Sequence, residues 1–210
     1  MVVNIDDKSF FYQKPAETIV ESILELFQKG IKSFESYEMW PYDIPISSEE
    51  EDYRYFNWTM NVVRSDSSNF NYSLFGIAGR DYADEPSIGI TIVLPRGKHM
   101  KKINLNRSEL FDVVAHEIHH LAQNMDNNTY MKGSKRHTGK LAYLLDPYEI
   151  EAFHIGIRAQ SHLSGKSFES IARDYIQSTW PESTKSQVDR VYAAWRDTSF
   201  PAFKQNMEVS

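Results

Sequence analysis

Residues 107 to 125 constrain the fold more tightly than any other stretch of the chain. Written as a helix, Leu110, Phe111, Val113, Val114, Ile118, Leu121, Ala122 and Met125 cover roughly half of its circumference. Beside that arc runs His116-Glu117-Ile118-His119-His120. His116 and His120 are one turn apart on the same face, so both imidazoles can reach one cation. Glu117 sits about 100° further round, close enough to act on a water beside that cation without ligating it. The pair lies on the border between core and cleft, where a reactive ion needs to be. His119 turns onto the polar side and reads as a residue of the solvated face. Asn106 is placed to cap the first turn, with Glu109 reaching back in a capping box.

The remaining segments sort around this helix. "PAETIVESILELFQKG" puts Ile19, Ile23, Leu26 and Phe27 on one face and predicts an amphipathic helix ending near Gly30. "FNWTMNVV" and "FNYSLFGIAGR", separated by the turn-rich "SDSSN", predict a hairpin. "SIGITIVLP" alternates cleanly, and Pro86 and Pro95 bracket it as they do an edge strand. "DNNTYMKGSKRHTGK" predicts a loop. A second polar-punctuated helix follows in "LLDPYEIEAFHIGIRAQSHL", with Asp146 as its cap, Pro147 at its first position and Glu149 at its third. Two further helical stretches lie on either side of Pro181. The order is helix, about three strands, then all helix, an α+β arrangement with a small mixed or antiparallel sheet.

Composition limits what such a chain does. The formal charge of −6 over 210 residues argues against broad nucleic-acid or membrane binding. "SSEEEDYRY" is the one dense acidic run and reads as a solvated loop. Cysteine is absent, which excludes disulfides and thiolate chemistry. The first residues lack the pattern of a signal peptide, and no apolar run reaches membrane-spanning length, so a soluble, cytoplasmic protein is expected.

Two histidines do not complete a catalytic metal site, which takes three protein ligands and keeps one position for water. The downstream candidates are His137, Glu149, Glu151, His154 and His162. Glu149 and Glu151 fall about 200° apart on a helix, so only one faces the ion. Glu149 has a local role as the return arm of the Asp146 cap, which favours Glu151. Ala152, Gly156, Ala159 and Leu163 form a mostly small-residue stripe that would let this helix approach the His116/His120 helix closely. Tyr143, Tyr148, His154, Arg158 and His162 are candidates to buttress a ligand or stabilise an oxyanion, with Tyr148 and His154 preferred.

"HEIHH" followed some thirty residues later by "EIEAFH" resembles the small gluzincins, zinc metallopeptidases with two histidines from the first motif and a glutamate from the next helix. The nearest likeness is to small HExxH proteins encoded by bacteriophages. The likeness spans about Ile88 to Leu163 and lacks both the longer signatures of large gluzincins and the third histidine of metzincins. It implies one zincin-like domain, with a catalytic core over about 55–164 and a helical extension over about 165–210. It also implies one Zn²⁺ on His116, His120 and Glu151, with Glu117 as general base in peptide hydrolysis. A protein or peptide substrate would lie extended against "SIGITIVLP". For a phage-encoded protein the expected location extends to the virion or the infected host cell. The alternative is an inactive zincin-like structural or binding protein, such as a phage-particle component, docking through Trp180 and Trp195 in the C-terminal third.

Overall fold

Ile88, Ile90, Ile92 and Leu94 are fully buried on one face of a single strand, as their alternation requires. This is β4 (Pro86–Pro95) of a sheet in a computed structural model that describes residues 13–39, 55–67, 70–82, 85–126 and 138–198. The other strands are β1 (Ser33–Met39), β2 (Tyr55–Ser65) and β3 (Ser73–Arg80). Their order is β1-β2-β4-β3, with β2 and β4 parallel and the outer pairs antiparallel. Among the described residues the sheet therefore has four strands rather than about three. "SFESYEM" escapes a pattern search because β1 is an outer strand rich in polar residues, and its Phe34 stays exposed.

The expectation of an edge strand at β4 is corrected. β4 lies inside the sheet, hydrogen-bonded on both sides. Its prolines stand at its two ends, where the ladder no longer needs their missing N–H groups. The edge strands are β1 and β3, the latter paired with β4 alone among the described residues. The hairpin expected from β2 and β3 is opened by β4, which inserts between them.

The helices are α1 (Gln13–Lys29), α2 (Arg107–Asp126), α3 (Lys140–Leu144), α4 (Pro147–Ser164), α5 (Phe168–Thr179) and α6 (Lys185–Arg196). Among the described residues none is long and apolar enough to cross a membrane. α1 and α2 cover the inner sheet face, where Ile19, Ile23, Phe27, Trp58, Met60, Leu110, Val114 and Ile118 close one core. A second core gathers Phe153, Ile157, Ile171, Ile176, Val188, Val191 and Trp195 from α4, α5 and α6. α4 serves both, since its Ile155 and Ala159 belong to the first core.

Every residue of α2 from Val114 to Gln123 is buried, so the polar side of this helix meets α4 rather than water. His119, expected on a solvated face, is only 3% exposed. The small-residue stripe explains the approach. A Cβ on Gly156 would fall 2.1 Å from the Asp112 Oδ1 and 2.8 Å from the Asp112 carbonyl oxygen. Trp195 is no docking residue either. It is fully buried, stacked on Phe153 at 4.4 Å, and its indole N–H donates to the Leu144 carbonyl at 2.9 Å.

Candidate metal centre

The start of α4 decides which carboxylate reaches α2. Asp146 caps it by accepting the Tyr148 N–H at 2.9 Å, and Pro147 follows at the first helical position. The capping box does not close, because the Asp146 N–H donates to the Tyr143 carbonyl. Glu149 has no backbone donor to return to, and its carboxylate turns to the histidines. Its Oε2 lies 3.5 Å from the Nε2 of His116 and 3.5 Å from that of His120. The two Nε2 atoms are 3.0 Å apart. The carboxylate that the structure brings beside the two histidines is thus that of Glu149 and not the expected Glu151. The small-residue stripe already contained the reason: Glu149 stands seven residues before Gly156, about 20° away on the helix, whereas Glu151 stands about 140° away.

These three groups are buried, and together they can hold a metal ion. Ligand atoms about 2.0–2.2 Å from a tetrahedral ion lie about 3.3 to 3.5 Å from one another, close to the separations here. Glu149 Oε2 is buried without a hydrogen bond, and the two imidazole nitrogens crowd together beside it. A cation at their centre satisfies all three at once.

Electrostatics follow from burial. Removal from water pulls the His116 imidazole down to about 4, against the opposing pull of Glu149. Burial acts the same way on His120 but is outweighed by Glu149, Glu117 and Gln123, which raise it. Burial pushes the Glu149 carboxyl up, yet the two imidazoles hold it well below the ordinary carboxylate range. Burial lifts Glu117 to about 7, with His120 lowering it and Glu149 raising it. Glu117 thus holds its proton more firmly than an ordinary glutamate. Its seat is Gly76 on β3, where a Cβ would come within 2.3 Å of both the Glu117 Cγ and Oε1.

The other candidates are distributed differently from expectation. His154, expected as a catalytic candidate, has both ring nitrogens engaged elsewhere: its Nδ1–H donates to the Trp195 carbonyl at 2.5 Å and its Nε2 accepts from Arg158 at 2.9 Å. Both ring nitrogens serve the second core. Tyr148 meets α2 through its backbone carbonyl, which accepts from the Gln123 amide at 3.0 Å. The Tyr143 phenol interacts with Glu149 and is raised far above its ordinary range by burial and then by the Glu149 charge. Tyr175 of α5 is raised by burial and then by Asp112, with Glu149 and Glu117 adding to it. Glu151 accepts from Gln123 at 3.0 Å and lies 3.5 Å from the His119 Nε2. His162 is exposed, and His137 lies outside the described residues, as does most of the acidic run. Gly76 and Gln123 were not anticipated. A glycine inside a strand signals close approach and marks Gly76; nothing local marks Gln123 or Tyr175.

No protein-family model, curated protein or solved structure matches this chain.

Proposed function

We propose that the protein is a zinc-dependent metallopeptidase of the zincin type. The observation that carries this reading is the convergence of His116, His120 and Glu149 beside the buried carboxyl of Glu117. Two imidazoles and one carboxylate are a donor set suited to zinc; His116, His120 and Glu149 would hold the ion, which would supply Lewis acidity for attack by water. Glu117 takes the proton of the attacking water and passes it to the leaving amine nitrogen. Tyr143 is the side chain from which the developing oxyanion accepts a hydrogen bond. The substrate lies extended along the outer edge of β3, the strand that carries Gly76 beneath Glu117, and adds to the sheet through its backbone.

Glu117→Gln tests the reading. The variant keeps stoichiometric zinc and loses peptide hydrolysis by about 10²- to 10⁴-fold. Metal analysis and an assay on unstructured protein substrates measure the two quantities separately. Unchanged turnover defeats the mechanism, and a wild-type protein that takes up no zinc defeats the site.

A further inference from the structure

His120 carries a proton-bearing nitrogen on the side away from Glu149, and its surroundings fix which nitrogen that is. Its Nδ1 lies 2.7 Å from Gln123 Oε1. A glutamine can turn either end of its amide toward a neighbour, so the assignment needs independent support. Here it exists. The other end of the Gln123 amide lies 3.0 Å from the Tyr148 carbonyl oxygen and 3.0 Å from Glu151 Oε2. A carbonyl and a carboxylate only accept, so the group facing them is the NH₂ of Gln123. The end facing His120 is then the oxygen, and His120 Nδ1 is the N–H that donates to it. In the neutral ring, Nε2 is left as a lone pair, pointing at His116 and Glu149.

We propose that Gln123 is the positioning residue of this centre: held by Glu151 and the Tyr148 carbonyl, it fixes His120 in the tautomer that presents Nε2 as a ligand. The metal consequence rests on the zinc reading above, whereas the tautomer does not. The arrangement ties both ligand helices into one unit, since Gln123 belongs to α2 and its two anchors to α4. It also gives Glu151 a place one step behind the ligands. Partners of this kind typically contribute 10- to 100-fold in metal affinity.

The experiment compares wild type, Gln123→Ala, Glu151→Ala, Glu151→Gln and the double alanine variant. Histidine ¹⁵N spectra of the metal-free proteins, at alkaline pH, report the tautomer, and competition with a chromogenic chelator reports zinc affinity. Wild type shows His120 protonated at Nδ1. Gln123→Ala loses that single tautomer and binds zinc about 10- to 100-fold more weakly. Glu151→Ala weakens zinc by a smaller factor, Glu151→Gln restores it because its side-chain carbonyl still accepts, and Glu151→Ala costs nothing further once Gln123 is gone. Should Gln123→Ala fail to fold, the Glu151 pair poses the same question from α4.

A Gln123→Ala protein with the wild-type tautomer and affinity overturns the proposal. Complete loss of zinc in Glu151→Ala irrespective of residue 123 also overturns it, by making Glu151 a ligand. If the wild type binds no zinc, the metallopeptidase reading falls, and the spectra still decide the role of Gln123.

Discussion

Gly76 and Asp112 show how single residues set the conditions of this centre. The hydrogen on Gly76 occupies the only room left by the Glu117 stem, since a methyl group would sit 2.3 Å from Glu117 Cγ. Gly76→Ala is therefore expected to displace the base and cut hydrolysis at least tenfold, while zinc content measured by metal analysis stays stoichiometric. Asp112 acts through its proton. Burial, and then the charge of Glu109, push its carboxyl from 3.8 to about 7. A raised acid favours the folded state fully below its unfolded value near 3.8, and that contribution is lost as pH rises through about 7. Asp112→Asn escapes this loss. Its stability relative to wild type, from urea unfolding of the metal-free protein, should be near zero at pH 4 and favourable by a few kcal/mol at pH 8. At this scale the sequence was informative about His116, Glu117 and His120, whose spacing on a helix is local geometry. It misdirected on Glu149, because an N3 glutamate after an Asp cap is a frequent return arm, and only the Tyr143 carbonyl takes that role away.

Two elements, α2 and α4, do most of the assembly. Their approach depends on Gly156, whose missing side chain lets the Asp112 carboxyl and backbone lie against the helix. Gly156→Ala should push the helices apart and destabilise the protein by about 1–3 kcal/mol, despite the higher helix propensity of alanine. Denaturant unfolding measures the loss, and zinc affinity should fall with it because Glu149 moves away from the histidines. The helices were legible from their periodicity and caps: Asp146 and Pro147 open α4 as expected, and Ser167 and Thr184 cap α5 and α6. The sheet was less so. Alternation reveals which face of a strand is buried but not which strands are neighbours, so β4, cleanly patterned and proline-flanked, looked like an edge while standing in the interior. β1 was lost because its outer position needs little apolar patterning.

At the level of the whole molecule, the two hydrophobic cores meet in α4, which gives Ile155 and Ala159 to the sheet side and Phe153 and Ile157 to the helical side. Nothing in a linear reading announces this double duty, because an ordinary one-sided helix and a shared one differ in partners that lie far along the chain. Phe153 is the clearest case: it packs edge-on against His116 at 4.7 Å and stacks on Trp195 at 4.4 Å. The C-terminal helices are therefore the far wall of the ligand-bearing helix. A chain cut after Gly165 should bind zinc at least tenfold more weakly than the full chain, with a lower melting temperature by circular dichroism. Wild-type values for both would show that α4 stands without that wall. For anyone dissecting or fusing this protein, the safe cut is consequently not the helix end at Gly165, however tidy its left-handed glycine stop looks. On that expectation the unit carrying the centre should run on through Trp195, with a tag or a partner domain placed beyond it.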